Sequence, residues 1–174
     1  HTINEENNSV VGFKRSDASF KGNKWVINDR RDFNNKIVFD KGLKNIKIDS
    51  FRMNHGNEEI KLSGVIRDST YKDISLSFKD VDLDKITPSI DSLNLAGNVN
   101  GKLDLTQRKG QYLPISDITI DDLIVNNLML GSFDANIVGD ESLTNYQVNA
   151  KIKNDVTESF SAIGNINVAS NTSA

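Results

Sequence analysis

From Ser92 to Leu105 the chain reads SLNLAGNVNGKLDL, with an apolar residue or a glycine at every odd position: Leu93, Leu95, Gly97, Val99, Gly101, Leu103 and Leu105. Between them stand Asn94, Ala96, Asn98, Asn100, Lys102 and Asp104, nearly all polar. A period of two predicts an extended strand with one wet face and one greasy face. Asn100-Gly101 is also a strong two-residue turn signal. A hairpin folded there would set Val99 against Lys102 and Asn98 against Leu103, apolar against polar on both faces, whereas one continuous strand keeps every apolar residue in phase. At about 3.3 Å per residue such a strand runs roughly 45 Å, well beyond the usual length. Glycines on its apolar side let it bend and let neighbouring strands come close. The stripe therefore predicts a long strand, concave on its greasy side.

The same alternation recurs at Lys36 to Phe39, Ile46 to Met53, Ile60 to Ile66, Ile74 to Phe78, Gln147 to Ile152 and Phe160 to Val168. Turn chemistry separates these runs at DKG, NHGN and RDSTYKD, and about ten strands result. In DVDLDKITPSI the period of two is lost, and Asp82 is placed to cap a short helical turn ending before Pro88. The stretch ISDITIDDLIVNNLMLGSFDANI reads as a hairpin about Asn126-Asn127, pairing Val125 with Leu128, Leu123 with Leu130, Ile120 with Phe133 and Ile118 with Ala135. Its period slips between Ile120 and Leu123 and again between Leu130 and Phe133. Either paired bulges restore the face, or the two ends of the hairpin show their apolar side chains on opposite faces. The facing of Leu123, Val125, Leu128 and Leu130 is thus left open.

These elements predict an all-β fold: an elongated, curved, largely one-sheet trough with an apolar concave face and at most one short helix. The 174 residues fit one such domain over residues 10–169, with flexible ends at 1–9 and 170–174 where apolar residues are scarce. A net charge of −3 and a pI near 5.4, with no basic stripe, speak against a nucleic-acid partner. There is no cysteine, hence no disulfide and no thiolate metal site. No run approaches the apolar length of a membrane span, so any anchor or export signal is expected outside this stretch of chain, and His1 in place of Met suggests an excised fragment.

Candidate chemistry is sparse. His55 lies alone in the MNHGN turn and reads as solvent-facing. Asp117, Asp121 and Asp122 lack the glycine and distal glutamate of a calcium loop, and alternate aspartates on a strand point apart. Serines and threonines have no paired histidine, and the glycines follow no phosphate-loop spacing. NNS at Asn7 and NTS at Asn171 match a glycosylation sequon within an Asn-rich chain. Trp25 in GNKWVIND reads first as core, with a sugar-stacking platform as its alternative. The expectation is a non-enzymatic protein with no cofactor and no metal.

The ordered series IKLSGVI, ISLSFKDVDLDKITPSI, LNLAGNVNGKLDL, YLPISDITIDDLIVNNLMLGSFDANI, YQVNAKIKN and FSAIGNINV resembles the C-terminal region of TamB-type translocation and assembly proteins, relatives of the AsmA-like group. The resemblance is clearest from Ser63 to Val168, fainter from Trp25 to Leu62 and absent at both ends. It implies a piece of a longer cell-envelope protein, anchored in the inner membrane by a segment absent from this chain and crossing the periplasm. Such a protein is expected to handle phospholipid or other hydrophobic cargo, or outer-membrane protein segments, with an outer-membrane barrel protein as partner. Carried over position by position, the resemblance implies a groove lined by Leu93, Leu95, Val99, Leu103, Leu105, Ile118, Ile120, Phe133, Ile137, Val148, Ile152, Phe160 and Ile166, with glycines at Gly97, Gly101 and Gly164. The competing expectation is a secreted β-sandwich module that binds glycan or a surface partner through Trp25, Tyr71 and Tyr112. The two differ in whether a second sheet covers the apolar stripe.

Overall fold

The computed structural model describes residues 1–88, 93–109, 111–140, 145–154 and 157–167. They form one open, curved antiparallel sheet of 13 strands and one short helix. The strands are β1 (Thr2–Ile3), β2 (Ser9–Gly12), β3 (Ser16–Phe20), β4 (Asn23–Ile27), β5 (Lys36–Phe39), β6 (Asn45–His55), β7 (Glu58–Arg67) and β8 (Tyr71–Asp82), then helix α1 (Leu83–Ile86), β9 (Leu95–Arg108), β10 (Gln111–Val125), β11 (Leu128–Gly139), β12 (Asn145–Asn154) and β13 (Thr157–Asn167). From β6 onward each strand pairs with the strand before it, giving the order β1-β2-β5-β6-β7-β8-β9-β10-β11-β12-β13. The β3–β4 hairpin leaves this path and joins it only where Val26 and Ile27 pair with Asn54 and Met53 of β6.

The long alternation is one strand. β9 runs through Asn100-Gly101 without a turn, starting at Leu95 and continuing past Leu105 to Arg108, while Leu93 makes an isolated bridge and Ser92 lies outside the described residues. Gly101 bends the chain at φ 122°, and a Cβ there would run into the Asp117 carbonyl oxygen of β10. Only a glycine admits so close an approach.

Each run expected as a strand lies within one of β5 to β8 or β12 and β13, apart from Val168, which lies outside the described residues. The capped helical turn is α1: the Asp82 side chain accepts from the Asp84 amide, and Thr87 closes the turn before Pro88. Strands β1 to β4, of two to five residues, were not expected. Thr2 and Ile3, placed in a flexible end, pair with Val10 and Ser9. Residues 170–174 and Asn171 lie outside the described residues.

The hairpin about Asn126-Asn127 is present, with both turn residues at positive φ, 49° and 67°, as the tight turn matching strand twist requires. Its pairs Val125–Leu128, Ile120–Phe133 and Ile118–Ala135 are as expected. The expected Leu123–Leu130 pair is displaced: Leu123 faces Gly131, because β10 carries an extra residue between Ile120 and Leu123 and β11 carries one at Leu130. Asp122 supplies the β10 bulge at φ 53°. Aspartate adopts this left-handed backbone more readily than most residues. The insertion returns Leu123 and Val125 to the face of Ile120, so the paired bulges restore the apolar face. The same device stands in β8, where Asp80 at φ 51° intervenes between Phe78 and Val81 and donates its amide to the Asn100 side chain.

Candidate functional site: an apolar face covered at one end

Antiparallel registers place cross-strand partners on one face, so the pairings trace rows of side chains across the sheet. One row runs Val81, Val99, Ile120, Phe133, Ile152, Phe160. The next runs Met53, Ile60, Phe78, Gly101, Ile118, Ala135, Ala150, Ala162. Beyond it lie Phe51, Leu62, Leu76, Leu103, Ser116, Ile137, Val148 and Gly164, then Ile48, Gly64, Ile74, Leu105 and Pro114, with Tyr146 beside Ile166 on the far strands. Leu95 shares its rung with Val125. Twelve of the thirteen expected lining residues therefore fall on one face; Leu93, outside β9, is the exception.

They are not equally open. Where the β3–β4 hairpin and α1 lie over the sheet, Trp25, Val81 and Val99 form the buried core, with Met53, Phe78, Leu83, Ile86 and Ile120 packed around it. Val99, expected in the groove lining, is only 5% exposed and belongs to this core. Trp25, at 3%, seals it. His55 is pinned rather than solvent-facing: its Nδ1 lies 2.8 Å from the Lys24 carbonyl and its ring packs on Trp25. Lys21 at the hairpin tip reaches the Asp84 carboxylate and carbonyl of α1, and Lys85 of α1 donates to the buried Glu58 at 2.9 Å. Glu58 Oε1 also accepts from the Asp82 amide. The hydrogen bond to Glu58 raises the Lys85 pKa above the ordinary lysine value, against the opposing effect of its partial burial. Helix and hairpin are thus tied to the sheet and to each other.

Away from this plug the same face has no second layer of strands among the described residues, although Ser116, Leu123 and Tyr146 on it are buried. Ile118 and Ile120 border the plug, half-buried against it. Phe133, Ile137, Val148 and Ile152 are half-buried too, and Leu103, Phe160 and Ile166 are exposed. The bare region spans five strands, β9 to β13, and four rows. Its four inter-strand steps of about 4.8 Å and three inter-row steps of about 6.8 Å enclose roughly 400 Å², the size of the largest apolar patch on an ordinary monomer. Among the described residues no second sheet lies over it. Of the alternative glycan contacts, Trp25 is buried, Tyr71 is sandwiched between the guanidinium groups of Arg67 and Arg108 at 5.2 and 4.0 Å, and the Tyr112 side chain lies outside what the structure describes.

Sequence reasoning left out Leu62, Ile74 and Leu76, which extend the rows onto β7 and β8, and the small row Ala135, Ala150, Ala162. The alternation of β7 and β8 was visible, but their register against β9 was not. The aspartates of the DITIDD stretch serve the backbone: Asp122 makes the bulge, and Asp117 and Asp121 face Lys102 and Asn98 on the polar side. No family model matches the chain, and neither a curated protein nor a solved structure shows significant similarity to it.

Proposed function

We propose that the bare apolar face of β9 to β13 holds hydrophobic cargo, with the acyl chains of phospholipids as the first candidate, in a non-enzymatic cell-envelope protein of the TamB-like kind. One observation carries this reading: on the face of β9 to β13 beyond the plug, Leu103, Phe160 and Ile166 are exposed and Phe133, Ile137, Val148 and Ile152 half-exposed, with no second sheet over them among the described residues. An apolar patch of that size on a monomer is often a functional surface. An acyl chain laid on it gains about 0.8 kcal/mol for each methylene removed from water, so affinity requires no polar recognition group. The sequence resemblance supports the same cargo class and a periplasmic setting between two membranes. In that setting an outer-membrane barrel protein would receive or share the cargo.

The test is lipid extraction and mass spectrometry of the natively purified chain. Phospholipid should co-purify, its amount should fall in Leu103→Arg and Ile137→Arg, and Lys102→Arg, on the polar face, should retain it. A chain that carries no lipid, or equal lipid in all four proteins, refutes the reading.

A further inference from the structure

The bare trough is not the most exposed apolar feature of the molecule. Phe33, in the NDRRDFNN loop between β4 and β5, is 95% exposed. The loop holds it there, because a buried side chain fixes the loop's conformation. Asn28, buried and at φ 51°, donates its amide to the Phe13 and Asp32 carbonyls at 2.6 and 3.1 Å and accepts from the Asp32 amide at 2.7 Å. The Asp32 carboxylate accepts from the Asn34 amide, and the Asn35 amide donates to the Asp32 carbonyl. Phe13, at the base, packs edge-on against Phe51. The loop so fixed holds the Phe33 ring in water.

Cations surround the ring. Phe33 lines an open pocket of about 740 Å³ beside β2 and β5 together with Phe13, Lys14, Arg15, Arg31 and Lys36. Lys36 pairs with Asp49 and the neighbouring Arg30 with Glu59, but among the described residues no ion pair engages Lys14, Arg15 or Arg31. Asp32 is the one acid in the wall, and its carboxylate is occupied within the loop. From Phe13 to Lys36 the chain carries seven Lys or Arg against three Asp, in a protein of net charge −3. Unpaired cations around a displayed aromatic ring are complementary to an anionic bilayer surface, where phosphates meet the cations and the ring enters the headgroup boundary.

We infer that the Phe33 loop and the cations at its base form a docking site for anionic phospholipid membranes, separate from the trough. This site sits at the β2–β5 side of the sheet, the side away from β13, so a docked membrane leaves the bare face of β9 to β13 accessible.

The experiment is co-sedimentation of the chain with vesicles of equal phosphatidylglycerol and phosphatidylcholine, and with vesicles of phosphatidylcholine alone. Binding should require phosphatidylglycerol and weaken with salt. Phe33→Ser should lower it about tenfold, as the loss of part of one buried aromatic predicts, and Arg15→Glu/Arg31→Glu by more than that. Phe33→Trp should shift its emission to the blue on adding the anionic vesicles, since Trp25 is already buried. Lys102→Arg, on the polar face of β9 and unchanged in charge, should bind like the parent. Wild-type affinity in Phe33→Ser, equal binding to phosphatidylcholine alone, or loss of binding in Leu103→Arg but not in Phe33→Ser overturns the inference. Displacement from vesicles by millimolar inorganic phosphate would also overturn it, in favour of a free-phosphate site.

Discussion

Val99 and Phe160 occupy the same row of the same face, four strands apart, and meet opposite fates. Val99 is sealed under Trp25 and beside Val81, while Phe160 is 50% exposed on the last described strand. The strands beneath them alternate equally well. What separates the two is a cover brought from elsewhere in the chain: the β3–β4 hairpin, which supplies Trp25, and α1, which adds Leu83 and Ile86. Alternation decides which face is apolar, and a separate piece of chain decides whether that face becomes core or stays available. Stability should therefore concentrate at the plug, and substitutions on the bare face should act on binding instead.

The largest effect is expected at the plug. Trp25→Ala removes the side chain that closes the core and leaves a void the hairpin cannot fill, so unfolding in denaturant should show a loss of about 3–5 kcal/mol. Phe160→Ala, of similar chemistry in the same face, should cost about 1 kcal/mol or less, because its ring is half in water already. Equal losses at the two positions would erase the distinction between covered and bare regions.

Next come the glycines. Gly101→Ala forces a Cβ into the Asp117 carbonyl at a backbone φ of 122°, so it should destabilise by about 2–4 kcal/mol through strain and displacement of β10. Gly164, expected as a groove glycine from the same motif, has open space for at least 4 Å around the position a Cβ would take, and no positive φ. Gly164→Ala should change the denaturation midpoint negligibly, within about 0.5 kcal/mol. Similar effects at both sites would mean that glycine on this face follows composition rather than strand packing.

The contrast also explains what could be read from the chain. The all-β class, the unbroken β9, the Asn126-Asn127 turn and the cap at Asp82 are local, set by a period of two, a dipeptide or one side chain reaching two residues ahead. The bulge at Asp122 was visible as a phase slip, but choosing between a restored and a reversed face needs the partner strand's register, which is a long-range property. Val99 was misplaced for the same reason. Nothing in LNLAGNVNG announces that Trp25, 74 residues earlier in the chain, will lie over it. Phe33 was passed over because a single aromatic among charged residues carries no period.

A smaller effect is expected from the tether that holds α1 down. A lysine whose pKa is raised by its partner stabilises the fold fully below its ordinary value of 10.5, and that contribution is lost as pH rises through the raised value. Wild type should therefore lose more stability than Lys85→Met, whose residue 85 cannot titrate, as pH rises past 10.5. Tyr146, with its phenol pKa raised by burial and then by the charge of Asp140, titrates in the same window and destabilises both proteins alike. Subtracting the two denaturation curves isolates Lys85. A difference of the opposite sign would show that the pair with Glu58 does not hold the helix.

The smallest effect on stability is expected where the largest effect on cargo is proposed. Leu103 sits between Leu76 and Ser116 in its row and is 39% exposed, so an arginine placed there can carry its charge into water while its methylenes lie along the face. Leu103→Arg should shift the folding free energy by about 0.5 kcal/mol or less, and Lys102→Arg, on the polar side, by less still. With a lipid over the face the same charge would have to be buried against hydrocarbon, which costs several kcal/mol. Leu103→Arg should thus fold like the parent and release its lipid. If it unfolds the chain instead, the face of β9 to β13 is closed core like that under Trp25, and the two halves of the sheet are alike after all.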